Sequence, residues 1–202
     1  MKNSLRITSG EYRGRGILTP GGATHPMGER ERLALFNMIA SEIPGALVLD
    51  AFAGSGALGV EMLSRGACVA VFVEKNPTAV KVIRQNLKQL GIPETTMGRA
   101  ESGDAAKSAA IVDSTAPTGV VVQSTVRDFT TQLRFDIIVA DPPYDDFRAN
   151  EVAGLVKFLK YDGVLVLSHP DEAPDFESLE PIKTRSYAGA NLTIYKYGIA
   201  SD

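Results

Sequence analysis

"ALVLDAFAGSGALG", residues 46–59, reads as an apolar run, a glycine-rich turn and the opening of a helix. Ala46–Asp50 is apolar without alternation until its final acid, the mark of a strand covered on both faces in a parallel sheet. Gly54, Gly56 and Gly59 satisfy G-x-G-x-x-G, and Glu74 closes the next apolar run, "CVAVFVE" (68–74), 20 residues beyond Gly54. That spacing matches the dinucleotide fingerprint, in which backbone approaches the ligand closely and the acid takes ribose hydroxyls. Asp50 bears on which ligand is bound. A pyrophosphate is drawn to N–H groups and positive potential, and a carboxylate at the entrance of the turn repels it. S-Adenosylmethionine carries a sulfonium and an ammonium and no phosphate, so an acid there favours it. Glycines that serve only packing, and a nucleotide cofactor, are the alternatives. The candidate cofactor residues in this unit are Asp50, Phe52, Gly54, Ser55, Gly56, Glu74 and Lys75.

The same strand–turn–helix rhythm continues outward. Pro77 suits a first helical turn, Val80, Ile83, Leu87 and Leu90 mark one helix face, and Gly91 stops it. "GVVVQS" (119–124), "FDIIVA" (135–140) and "GVLVLS" (163–168) supply three more strands, with a helix expected over about 147–159. Residues 182–198 read as a closing antiparallel hairpin. Alternating β and α elements predict a doubly wound, mostly parallel, Rossmann-like α/β sheet of seven strands with right-handed crossovers. Before it, residues 5–19 carry two short β-type runs with Gly10, Gly14 and Gly16 between them, a hairpin pattern. Leu33, Phe36 and Ile39 or Ala40 then recur at helical spacing over 29–39. The expected division is an extension, 1–42, and a main domain, 43–202. Residues 94–119 are small and polar, too long for a plain connection, with room for a short helix near 105–112.

"ADPPYDD", residues 140–146, ends the fourth strand of the body in an acid, two prolines and an aromatic ring. Proline fixes φ and gives a sheet no N–H, so this is a rigid elbow. In a doubly wound sheet the strand ending at Ala140 lies beside the one ending at Asp50, and both open on the ligand crevice. An exocyclic amine of a nucleobase is a poor nucleophile because its lone pair is delocalised into the ring. Two acceptors for its hydrogens, the Asp141 carboxylate and the Pro142 carbonyl, help it pyramidalise, and the prolines hold them in place. Tyr144 offers a face on which an extruded base stacks. Asp141, Pro142, Pro143 and Tyr144 are the catalytic candidates; a strand stop with incidental Asp and Tyr is the plain alternative.

Hydrophobic residues make up 44% of 202, mean hydropathy is −0.01, and no run of about 20 apolar residues is present, so no membrane span is expected. The N-terminus lacks the apolar segment of a secretory signal. One cysteine, Cys68, and two isolated histidines predict no internal disulfide and no metal site. These features suggest a cytoplasmic protein. The net charge of −3 is uneven: residues 1–20 hold Lys2, Arg6, Arg13 and Arg15 against Glu11, a net +3, leaving −6 for the remainder.

Six stretches together resemble the RsmD-type 16S rRNA (guanine-N2)-methyltransferases. They are "VLDAFAGSGALGVEMLSRGA" (48–67), "VFVEKN" (71–76), "DIIVADPPY" (136–144), "RITSGEYRGRGI" (6–17), "ERLALFNMI" (31–39) and "RSYAGANLTIY" (185–195). The resemblance covers nearly the whole chain except 94–119. It implies a class I methyltransferase fold, S-adenosylmethionine as cofactor, and methylation of the 2-amino group of one guanine, guanine 966 in RNA numbering. The partner implied is 16S ribosomal RNA, free or in an assembling small subunit; a monomer is expected, though nothing in the sequence fixes the oligomeric state. Arg6, Arg13 and Arg15 become phosphate contacts and Tyr12 a stacking ring. Arg30 becomes a partner for a phosphate or the cofactor carboxylate, unless it forms a helix-surface ion pair. Two departures stand out. Thr125, followed by Val126, occupies the place of an adenine-facing Asp or Asn. "HPMGER" (25–30) keeps Glu29 and Arg30 but differs at His25, Met27 and Gly28. Three other readings stay open: an amino-methyltransferase of adenine or cytosine, a non-catalytic RNA-binding assembly protein, and an NAD-dependent oxidoreductase.

Overall fold

A computed structural model describes residues 5–21, 27–96, 116–187 and 190–198 of the chain. Strand β1 (Leu5–Arg6) pairs antiparallel with β2 (Gly16–Ile17), and α1 (Glu29–Met38) follows. The body runs β3 (Leu47–Asp50), α2 (Ala57–Ser64), β4 (Val69–Glu74), α3 (Pro77–Leu90), β5 (Glu94–Thr95) and β6 (Thr118–Gln123). It continues with β7 (Phe135–Ala140), α4 (Ala149–Val156), β8 (Leu159–His169), β9 (Leu179–Tyr187) and β10 (Ala190–Tyr197). One sheet orders these strands β5-β6-β4-β3-β7-β8-β10-β9, with every pairing parallel except the two made by β10. The Rossmann-like α/β expectation is met. The sheet has eight strands rather than seven, because Glu94 and Thr95 add a two-residue edge to β6. The expected helix near 105–112, Lys2 and His25 lie outside the described residues.

Strand residues alternate between two apolar layers, as a period of two requires. Leu47 and Leu49 join Val69, Val71 and Ile138 on one face, while Val48 joins Ala70, Phe72 and Ile137 on the other. Burying each such side chain contributes about 1.5–3 kcal/mol. Helix α3 has the ends its sequence announces: Asn76 Oδ1 accepts from Thr78 and Ala79 N–H, Pro77 opens the first turn, and Gly91 closes it at φ 75°.

The N-terminal segment differs from expectation in one respect. Leu33 is 43% exposed, and α1 instead buries Arg32, Leu35 and Phe36. Together with Ile7, Tyr12, Ile17 and Ile39, Leu35 and Phe36 lie in the same cluster as Val60, Met62 and Ile83 of the α2–α3 layer. Glu61, fully buried in α2, fastens the hairpin. Its carboxylate accepts from Thr8 N–H (2.8 Å), Thr8 Oγ1 (2.5 Å) and Ser9 N–H (3.0 Å), and pairs with Arg65 Nε at 3.0 Å.

Candidate active site

Three strand ends meet at the crevice. Asp50 ends β3, which pairs with β4 on one side and β7 on the other, and the loop beyond is tied to both neighbours: Ala51 N–H donates to the Val139 carbonyl (2.9 Å) and Ala53 N–H to that of Val73 (3.0 Å). Glu74 closes β4, and Asp141 follows β7. Three carboxylates are thereby brought to one edge.

Asp50 is 1% exposed and makes one hydrogen bond among the described residues, accepting at Oδ2 from Gly59 N–H (2.9 Å) at the start of α2. Burial pushes its carboxyl up to about 7, opposed by the Gly59 bond and reinforced by the charges of Asp141 and Glu74. Asp141 is pushed up to about 6 by burial, against a hydrogen bond from Ser168. Glu74 accepts from Gly54 N–H at Oε2 (2.8 Å) and from Asn76 N–H at Oε1 (2.7 Å), which sets the loop opposite the strand end. Gly54 takes a left-handed φ of 53°, and a Cβ there would find only Phe52 O within 4.0 Å, so this glycine faces open space. Gly59 is different: a Cβ would stand 2.3 Å from the Phe72 ring, so it serves helix–strand packing. Ser55 is buried, its carbonyl accepting from Asn86 Nδ2 (2.9 Å). Phe52 and Val126 are half-buried, and Lys75 is exposed beside Glu74.

These residues fit S-adenosylmethionine. Uncompensated carboxylates around a glycine loop with open backbone suit a ligand bearing two cations, and would repel a pyrophosphate. Asp50, Gly54 and Glu74 are the residues that would hold it.

The elbow turns as its prolines dictate: Pro142 is buried, Pro143 exposed, and Tyr144–Asp146 forms a single 3-10 turn. Tyr144 Oη lies 2.5 Å from Ser168 Oγ. Ser168 also lies close enough to Asp141 to lower its pKa, so Tyr144, Ser168 and Asp141 gather at the elbow. Burial raises the Tyr144 phenol's pKa, and Asp141 and Glu31 add to it, which places the first turn of α1 near the elbow. Ser168 and Glu31 were not among the sequence candidates. The signal for Ser168 was present: it stands at the C-terminal end of an apolar parallel strand, where side chains reach the crevice.

Thr125 is exposed, and its hydroxyl is engaged: Oγ1 donates to Asp128 Oδ2 (2.7 Å) and accepts from Asp128 N–H (3.1 Å). Asp128 thus holds the turn in which an adenine contact was expected of Thr125.

The basic N-terminal residues are dispersed. Tyr12 is 7% exposed within the core cluster, so its ring is packed rather than offered for stacking. Arg6 Nη1 donates to the Gly14 carbonyl (2.9 Å), bracing the hairpin. Arg15 donates to the carbonyls of Leu90 (3.3 Å) and Gln89 at the C-terminus of α3, while Glu11 N–H meets Ser64 O (2.8 Å) at the end of α2. Helices of a βαβ unit run against their strands, so these helix ends lie at the edge opposite the crevice, about 20 Å along α3 from its start. Arg13 and Arg30 are exposed, Arg30 in the first turn of α1.

A family model described as "Conserved hypothetical protein 95" matches residues 5–196. The chain is 29% identical over 197 residues to the Ribosomal RNA small subunit methyltransferase D of Escherichia coli strain K12, covering 97% of this chain and 85% of that one. The solved structure of the Escherichia coli protein yhhF is similar with a TM-score of 0.76 at 26% identity, covering 96% of this chain and 98% of that one. The 16S rRNA N2 G1207 methyltransferase RsmC of T. thermophilus, solved with AdoMet and guanosine, shares the fold: TM-score 0.63, 19% identity, 97% of this chain and 50% of that one. The fold is that of the Rossmann-like methyltransferases.

Proposed function

The chain belongs to the conserved hypothetical protein 95 family, the RsmD-type group its motifs resemble, and from that membership we propose that it is an S-adenosylmethionine-dependent methyltransferase of 16S ribosomal RNA. The target is the exocyclic 2-amino group of a guanine, guanine 966 by family resemblance. The observation that carries this reading is the elbow: Asp141, its carboxyl raised by burial, and Tyr144, tethered to Ser168, follow the strand that pairs with β3 and its Asp50.

When bound, the cofactor supplies a methyl group on a sulfonium that leaves as a neutral thioether. The chain positions the amine. Asp141 and the Pro142 carbonyl accept its two hydrogens and aim the nitrogen lone pair out of the ring plane. As the N–C bond forms, one N–H proton is lost, and Asp141 is the carboxylate placed to receive it. Its pKa of about 6, above the ordinary carboxylate value, suits that role. Tyr144, its hydroxyl tethered, holds its ring for a base taken out of the RNA stack. Asp50 and Glu74 orient the cofactor. Arg13 and Arg30 add phosphate contacts, whereas Arg6, Tyr12 and Arg15 act through the hairpin they hold together. The protein works as a monomer in the cytoplasm, where its substrate is made. Among the described residues no helix is long and apolar enough to cross a membrane.

Methyl-labelled S-adenosylmethionine, offered with small ribosomal subunits from cells lacking this protein and with naked 16S RNA, tests the reading by nucleoside analysis. N2-methylguanosine is expected, with Asp141→Ala lowering turnover about 10²–10³-fold at retained cofactor binding. A different labelled amine reassigns the base. No label with cofactor binding intact overturns the enzyme reading, and wild-type turnover by the Asp141 variant overturns the clamp.

A further inference from the structure

The second helix layer carries a basic groove that neither the glycine loop nor the hairpin explains. It lies between the turn after β6 and helix α4, with a volume of about 270 Å³. Val126 and Phe129 give it an apolar floor, and Arg127, Arg148 and Lys157 line it against one acid, Glu151. Arg148 pairs with Asp146 at 2.9 Å, and Lys157 Nζ rests 4.9 Å from the Phe158 ring centroid. Arg127 and Lys157 have no carboxylate partner among the described residues.

Its position matters as much as its charge. Val126 and Arg127 follow the C-terminal end of β6, and Arg148 lies four residues beyond Tyr144, so the groove begins at the crevice edge of the sheet. It then descends along α4 to Lys157 just past the end of that helix, a run of about 13 Å. Arg15, by contrast, caps a helix at the far edge, in the other layer. On a chain of net charge −3, Arg127 and Lys157 add to the Asp146-paired Arg148 and outweigh Glu151, which leaves this lining net positive beside the proposed site for an extruded base.

We infer that this groove is a backbone-binding track for single-stranded RNA, in which Arg127, Arg148 and Lys157 meet successive phosphates next to the target nucleotide. The inference rests on the ribosomal RNA reading above and adds where the strand leaves the active site. Phosphate contacts of this kind position a strand and carry no base choice; specificity stays with the elbow. Each phosphate neutralised on a single strand adds about 0.7 to the salt slope of log Kd.

The test compares wild type with an Arg127→Ala/Lys157→Ala double variant for binding of 16S RNA over a salt series, with S-adenosylmethionine affinity as the control. The expected result is a salt slope lower by about 1.4 with unchanged cofactor affinity. An Arg127→Lys variant keeps the charge and is expected to retain the wild-type slope. A double variant with the wild-type slope overturns the track while leaving the methyltransferase reading intact. Loss of cofactor affinity equal to the loss of RNA affinity also overturns it, by showing that the groove serves the cofactor. A wild type that neither binds nor methylates ribosomal RNA brings down the functional reading, and the track with it.

Discussion

Glu61 and Asp50 are both buried carboxylates on or beside the same helix, and their surroundings are opposite. Glu61 accepts from two backbone N–H groups and a hydroxyl and pairs with a guanidinium, all four donors coming from the hairpin and α2 themselves. Asp50 has a single N–H donor and two further carboxylates for company, and its carboxyl is raised to about 7. A buried charge is tolerated where its acceptor sites are filled and costs stability where they are not. The filled site is a fastening. The unfilled one keeps acceptor capacity that the fold itself does not use, which is how a crevice differs from a core.

That contrast is most exposed to failure in two substitutions. Glu61→Ala strands three donors and Arg65 in a buried environment, and unfolding stability is expected to fall by about 3–5 kcal/mol, measured by urea titration. Asp50→Asn keeps an acceptor for Gly59 N–H and removes a like charge from beside Asp141 and Glu74. At pH 8 its stability is expected to equal or exceed wild type while S-adenosylmethionine binding weakens. Equal destabilisation by both variants would break the contrast.

The pH dependence sharpens it with a smaller effect. Asp50 and Asp141 titrate near 7 and 6 in the free protein, above the ordinary carboxylate range. A raised carboxyl favours the native state fully below its unfolded pKa of about 4, and that contribution is lost as pH rises through the folded pKa. The free protein should therefore lose stability as pH rises from about 4, levelling off above about 7. Cation recognition at Asp50 requires its ionised form, so below about pH 7 ligand binding must expel a proton there. S-Adenosylmethionine affinity, read by calorimetry, is expected to weaken by up to about tenfold per pH unit below 7, and less steeply in Asp50→Asn. A flat profile between pH 5.5 and 8 would count against cationic recognition at Asp50.

How much of this was legible in the sequence follows the same division. The glycine turn, the elbow and the caps of α3 are local: one short stretch holds both a group and the reason for it. Asn76, Pro77 and Gly91 announce a helix that then forms between them. Pairings across distant elements leave no such trace. Leu33 reads as a core residue by periodicity, yet the hairpin lying over α1 supplies the Arg6 carbonyl that Arg32 Nη2 reaches at 3.0 Å, and α1 turns its arginine inward. Arg6 and Arg15 look like phosphate contacts because their carbonyl partners, at Gly14, Gln89 and Leu90, are backbone atoms that every sequence has. Nothing local marks Glu61 either: Thr8 and Ser9, which donate to it, lie more than 50 residues away.

The smallest expected effect separates two arginines that the sequence treats alike. Arg15 closes two carbonyls at the negative end of α3, an interaction of about 1 kcal/mol, and its removal leaves those carbonyls to water, since the helix end is at the surface. Arg13, two residues earlier, is exposed, and its N–H bonds back to Gly10 within the same turn, so its side chain has no comparable duty. Arg15→Ala should lower Tm by about 2–4 °C and Arg13→Ala should leave it unchanged. If both lower Tm equally, the hairpin is held by its overall charge rather than by a specific cap. If neither does, Glu61 and the buried Tyr12 and Ile17 suffice, and Arg15 is released to meet an RNA phosphate when one approaches the far edge of the sheet.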